Sequence, residues 1–256
     1  MGIDDLLAYM DENEIDLVWL LPIPGRVDPY ARIVGPELVL RVAKEYPDRI
    51  IPFCVIDPRN PKAIKKLEEF ARIGFRGFGE FKVKLRIDDP RSIELYRACG
   101  ELGFPVLIHM DDTYNPDIKG LKHVLEEVHD AVFILHGPGW WRHISALVDE
   151  CEVYPSGKVV PGGMVERLLK EYPNLYADIS AYSGLNALSR DPGYAKDFLS
   201  KFADRVLFGT DFPCIAPDGS QFGPNGSHIE LLRNLNLAGD VLNKIIHENA
   251  LKLVDI

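Results

Sequence analysis

The chain has 256 residues, a formal charge of −10 and 46% hydrophobic residues, enough to bury the core of one sizeable domain and close to the length of an α/β barrel. The acidic balance argues against a nucleic-acid partner or an anionic membrane surface, because both call for basic stripes. No apolar run approaches the roughly 20 residues that span a bilayer, and Met1-Gly2-Ile3-Asp4-Asp5 lacks a basic region followed by an apolar one, so a cytoplasmic domain over residues 1–256 is expected.

The chain opens on an amphipathic helix, Asp4–Asn13, where a strand would normally start a β/α repeat. Short apolar runs then alternate with segments carrying apolar residues every three or four positions, the form of consecutive β-α units with parallel strands. The predicted strands are Leu17–Leu21, Ile50–Ile56, Gly74–Phe81, Pro105–His109, Val132–His136, Asn174–Asp178 and Val206–Asp211. Predicted helices include Pro36–Tyr46, Pro61–Ile73 behind an Asn60 cap, and Pro90–Leu102 behind Asp89. Two loops, from Gly137 to about Gly163 and from Phe212 to about Ser227, exceed the length usual in a compact domain, and in a β/α barrel such loops form the active face. Cys54, Cys99, Cys151 and Cys214 are scattered, which fits reduced thiols and no disulfide framework.

The residues that end the apolar runs carry the chemistry. They are Asp57, Glu80, His109, His136, Asp178 and Asp211, so six of the seven strands end in an ionisable side chain. In a parallel barrel these ends open on one face and ring one cavity. Asp57 alone reads as an ordinary turn residue. His109 and His136, at the ends of successive buried strands, each need partners for both ring nitrogens. Imidazole and carboxylate at a shared opening can bind a divalent metal such as zinc, which keeps one position for water.

The motifs Gly74–Leu85 (GFRGFGEFKVKL), Pro105–His109 (PVLIH), Phe133–Gly139 (FILHGPG), Asn174–Ser180 (NLYADIS), Arg205–Pro213 (RVLFGTDFP) and His247–Leu253 (HENALKL) resemble, in order and spacing, the amidohydrolase-related metal-dependent hydrolases. The likeness is to the branch that includes aminocarboxymuconate-semialdehyde decarboxylase. It implies a TIM-like (β/α)8 barrel, His109 as a fifth-strand metal ligand, and Asp211 as a metal ligand or proton handler on the eighth strand. His136 would be a ligand, as in two-metal relatives, or would activate water or substrate, as in single-metal decarboxylase-like relatives. Zn2+ is the expected metal, with Mn2+ or another divalent ion as alternatives, and a homodimer is the expected assembly.

The family opens with a His-x-His pair on its first strand, and this chain has no histidine before His109. The expected explanation is that the strand and the pair lie upstream of Met1. The alternative is a short variant in which Glu80 substitutes as a ligand, with weak or no catalysis or with a partner completing the site.

Trp140, Arg142 and His143, behind the His136-Gly-Pro-Gly turn, could supply an aromatic wall and a cation for a carboxylate or carbonyl, or they could begin a helix that packs on the barrel rim. Lys84 could neutralise a substrate anion or sit in a solvated loop. Three functions follow. The first is hydrolysis of a small carboxylated or cyclic substrate, a lactone or amide, through metal-activated water, with Asp211 and His136 moving protons. The second is non-oxidative decarboxylation of the aminocarboxymuconate type, with the metal and His136 helping to protonate the substrate carbon and Arg142 or another cation holding the acid group. The third is an incomplete barrel with little or no catalysis.

Overall fold

The computed structural model describes residues 2–23, 34–214 and 226–255. Among them lie seven parallel strands in the order β1 to β7: Val18–Leu20, Ile50–Cys54, Gly77–Phe81, Val106–His109, Phe133–His136, Leu175–Asp178 and Val206–Leu207. Each pairs with its sequence neighbours, as right-handed β-α-β connections produce. β1 and β7 share no ladder among the described residues. The sheet nevertheless curls, because Trp19 and Leu21 at β1 share one apolar cluster with Leu107, Ile134, Tyr176 and Leu207. The fold is an α/β, TIM-like one.

Strand alternation separates two layers. Val106, Ile108, Phe133, Leu135, Leu175 and Ala177 face outward into the main core beneath the helices. Leu107, Ile134, Tyr176 and Leu207 face inward. Phe53 also points into the barrel, where its ring stacks on Trp19 at 4.8 Å. It fits because Gly77 has no side chain: a Cβ there would lie 2.3 Å from the Phe53 ring. The inner layer is completed by Ala250, Leu253 and Val254 of the C-terminal segment.

The helices that carry the strands outward include α1 (Ile3–Glu12), α2 (Pro36–Glu45), α3 (Ala63–Ile73), α4 (Pro90–Glu101) and α5 (Ile118–Glu127). α4 begins as the sequence implies, with the Asp89 carboxylate accepting from the Arg91 amide at 3.0 Å. α3 starts two residues later than expected. Asn60 accepts from the Lys62 amide at 3.0 Å, so a local turn precedes the helix instead of a cap on Pro61. The last strand is shorter than the run Val206–Asp211, because the Phe208 amide donates to the Ile245 carbonyl at 2.9 Å and leaves the sheet. The long loop after β5 holds a short helix α6 (Pro138–Trp141) and a 3-10 turn, Arg142–Ile144. Most of the loop expected from Phe212 to Ser227 lies outside the described residues. Among the described residues no helix is long and apolar enough to cross a membrane.

Downstream, α7 (Met164–Glu171), α8 (Ala181–Ser189), α9 (Pro192–Lys201), α10 (Ser227–Asn234) and α11 (Gly239–Asn243) lead through a π-helical turn to α12 (Asn249–Leu253). Asn249 clamps this end to the sheet by donating to the carbonyls of Ala203 (2.7 Å) and Val206 (2.9 Å). Both bonds are buried, so Asn249→Ala should lower unfolding free energy by about 1–3 kcal/mol, the cost of stranding a buried polar group. Urea titration followed by tryptophan fluorescence checks this, and an unchanged midpoint would show that the clamp carries no weight.

Candidate metal centre

β4 and β5 pair in register, with His109 opposite His136. Both follow an inward-facing residue by two positions, so both rings point into the barrel at its C-terminal mouth. The ring centroids are 5.0 Å apart and nearly perpendicular, at 83°. Glu80 joins them because of a bulge in β3. Phe78 pairs with Val106 and Phe81 with Ile108, so one extra residue is accommodated between the two outward-facing phenylalanines. Gly79 and Glu80 therefore both lie toward the interior, a common use of a bulge beside a site.

One carboxylate oxygen of Glu80 lies 3.1 Å from His109 Nδ1 and 3.4 Å from His136 Nε2. Neither contact has hydrogen-bond geometry, and both ring nitrogens are buried without a hydrogen-bond partner. The ligand atoms of the three residues lie within 4.8 Å of one another. Two orphaned imidazole nitrogens and a carboxylate oxygen aimed at one point are a donor set that fits a divalent metal.

The opposite sides of both rings are held. His109 Nε2 contacts Asp111 at 3.0 Å. His136 Nδ1 contacts the Ser180 hydroxyl at 3.2 Å, and that hydroxyl donates to Asp178 at 2.5 Å. Such outer partners fix ring orientation and tautomer in metal sites. Asn115, fully buried, donates to the carbonyls of Phe81 (2.7 Å) and His109 (2.8 Å), tying the ends of β3 and β4 together next to the cluster. Gly137 allows close approach behind His136: its φ is +97°, and a Cβ would fall 2.5 Å from the Met110 carbonyl oxygen.

The charges are coupled. Burial alone would raise Glu80, but contacts with His109 and His136 hold it well below the usual carboxylate range. Burial alone would lower His136, yet Glu80, with help from Asp178 and Asp211, pushes it up to about 9. Asp111 is brought down to about 2, because His109 and the Tyr114 and Thr113 amides outweigh its burial. Asp211 is raised, first by the enclosing protein and then by the negative charge of Glu80, against the pull of His136 and His109. Asp211 is exposed to solvent at the mouth, which limits that effect. Its backbone sits in the left-handed region at φ +59°, and it accepts a bond from the Cys214 thiol.

Among the expected site residues, Glu80, His109 and His136 are brought together, and Asp211 lies in their electrostatic surroundings without entering the close cluster. Trp140 is sealed in the core with no exposed surface, and Trp141 donates to the Asp178 carbonyl at 2.9 Å. Arg142, also buried, pairs with Asp112 and approaches Glu150 at 3.6 Å. His143 is half-buried beside it. Lys84 is exposed and lies over the Tyr114 ring at 5.5 Å. Asp57 makes a local turn, accepting from the Arg59 amide at 2.9 Å. Asp111, Asn115 and Ser180 also brace the cluster, without being among the expected site residues. Asp111, the first acid after the His109 strand, carried a usable signal; Asn115 and Ser180 gave none, because their partners are remote in sequence.

The amidohydrolase family model matches residues 35–160 and 162–256. The chain belongs to the amidohydrolase family. Solved structures of the same fold include an uncharacterised TIM-barrel protein from Bordetella bronchiseptica, with 24% identity, coverage of 99% of this chain and 83% of that one, and a TM-score of 0.71. A putative 2-pyrone-4,6-dicarboxylic acid hydrolase from Pseudomonas putida has 16% identity, coverage of 99% and 87%, and a TM-score of 0.67. The 5-carboxyvanillate decarboxylase from Sphingomonas paucimobilis has 14% identity, coverage of 100% and 84%, and a TM-score of 0.63. No curated protein sequence matches the chain. Family membership makes this an enzyme, and the amidohydrolase fold carries both hydrolases and decarboxylases.

The raised His136 has a measurable consequence in metal-free protein. Its folded value of about 9 lies above the ordinary 6.5, so its stabilising contribution is complete below pH 6.5 and is lost as pH rises through about 9. Metal-free protein should thus lose on the order of 1–3 kcal/mol across that window. Glu80→Gln should flatten the profile, and denaturant titrations at several pH values test both.

Proposed function

We propose that this amidohydrolase-family enzyme is a zinc-dependent hydrolase that opens a small, planar, carboxylated ring, a lactone or cyclic amide. The observation that carries the proposal is the convergence of His109 Nδ1, His136 Nε2 and a Glu80 oxygen at the barrel mouth. Two nitrogen donors with a carboxylate favour zinc, with Mn2+ as the alternative. The named substrate of the hydrolase of like fold, a pyrone dicarboxylic acid, supports the ring and the acid group.

Glu80, His109 and His136 would hold the metal, which when bound supplies a Lewis acid for a substrate oxygen and lowers the pKa of water. Asp111 and Ser180 keep the two rings turned toward it. Asp211, its proton affinity raised, would accept the proton of the attacking water and return it to the leaving oxygen or nitrogen. Asp211 is exposed, so a small molecule would approach the cluster from its side. A homodimer in the cytoplasm, with its cysteines reduced, completes the proposal and is consistent with the free thiols; light scattering reads the assembly directly.

Decarboxylation is the second reading. It is favoured by His136, whose raised proton affinity suits a group that delivers a proton to carbon, and by decarboxylases among structures of like fold. The two readings separate on His136. If it is a ligand, His136→Ala should weaken zinc binding by about 10- to 100-fold or more. If it is the acid, the same variant should retain metal and lose turnover.

Zinc- and manganese-loaded protein, offered lactones, cyclic amides and carboxylated aromatics, is expected to open a ring with no carbon dioxide release. His109→Ala and Asp211→Asn should reduce that rate at least about 100-fold. Carbon dioxide evolution would transfer the assignment to the second reading, and no turnover with any metal would leave the incomplete barrel.

A further inference from the structure

A cavity of about 500 Å3 opens on the far side of Asp111 from His109, between the first turn of α5, the 3-10 turn after α6 and the start of α7. Asp111, Lys119, Arg142, His143, Glu150 and Arg167 line it, whereas Glu80, His109, His136 and Asp211 do not. The volume lies within the range of small-molecule sites.

Its charges are unevenly engaged. Asp111 is occupied by His109 and by the Thr113 and Tyr114 amides. Asp117, also at the wall, pairs with Arg86 at 2.7 Å and caps α5. Lys119 has no carboxylate within ion-pair distance among the described residues. The Arg142 side chain is only 9% exposed, and its Nε is buried without a hydrogen-bond partner. What faces that atom is Glu150, whose carboxylate lies 3.6 Å from Arg142 Nε and 3.9 Å from His143 Nε2 while remaining 69% exposed on its loop. Asp112 holds the Nη1–Nη2 end of the same guanidinium, so the exposed Glu150 carboxylate rests, imperfectly seated, on its buried Nε edge alone.

We infer that this cavity is a second binding site, for a small dicarboxylate. One ligand carboxylate replaces Glu150 at the Nε–Nη2 edge of Arg142, with Asp112 keeping the Nη1–Nη2 end, and takes the edge-on geometry that Glu150 misses. The other reaches Lys119 and Arg167 across the cavity. His143, lowered by burial, is a neutral donor there. None of the cluster residues Glu80, His109 and His136 lines this cavity, and Asp111 is the residue common to its wall and the contact with His109.

Succinate is the probe, since it chelates metals weakly, and isothermal titration of the full chain is the measurement. Saturable millimolar binding is expected. Arg142→Gln and Lys119→Gln should weaken it, the former by about tenfold or more. Glu150→Gln, which removes the internal competitor, should tighten it several-fold, whereas Glu152→Gln, an equal charge change two residues away, should leave it unchanged. His136→Asn should also leave it unchanged, because succinate is not at the metal centre. Lys119→Gln, on an exposed helix turn, keeps the test decisive if the Arg142 variant fails to fold. The inference is overturned by no saturable binding, by equal affinity in Lys119→Gln, by equal tightening in Glu150→Gln and Glu152→Gln, or by loss of binding in His136→Asn.

Discussion

A single oxygen of Glu80, lodged between two imidazole nitrogens at the mouth of the barrel, is the contact around which the rest of this structure is organised. A buried carboxylate is expensive unless opposite charge or a metal meets it. Here two rings approach it and neither completes a hydrogen bond, so the cluster is held together by charge and by its frame. The bulge in β3 turns Glu80 inward, Asn115 ties the ends of β3 and β4, and Asp111 and Ser180 fix the far sides of the rings. A proton on His136 and a metal at the same point are competitors for one oxygen and two nitrogens, which makes metal affinity at this centre depend on pH.

The frame works because the barrel interior is split by height. Its lower layer is apolar, with Leu107, Ile134, Tyr176 and Leu207 packed against the terminal segment. Two positions further along the same strands stand His109, His136 and Asp178. Apolar packing below fixes where the polar ends sit above, and one residue of slip in β4 or β5 would send a histidine into the outer core. Asp111 extends this order outward, since it braces His109 on one side and walls the outer cavity on the other.

Much of this was legible in the chain. Each of the seven apolar runs, read by length and alternation, contains one of the seven strands among the described residues, and Glu80, His109 and His136, at or next to strand ends, meet because parallel strands end on one face. Other features were not legible for a physical reason. Trp140 follows the site in sequence, yet its helix turns the indole into the core. Arg142 looked like a substrate cation, but the turn carries it to Asp112 and Glu150 around a separate cavity. Loop residues have no periodicity to fix their direction.

By itself, then, the sequence determined the alternation of strands and helices, the parallel sheet and the identity of the groups at the strand ends, because burial period and strand polarity are local properties of the chain. Only the tertiary structure decided that Glu80 shares one oxygen between His109 and His136, that Asp211 stays outside that close contact, and that Asp111 stands between two sites. Those outcomes depend on register, on a one-residue bulge and on partners tens of residues away, where a displacement of an ångström separates a ligand from a bystander.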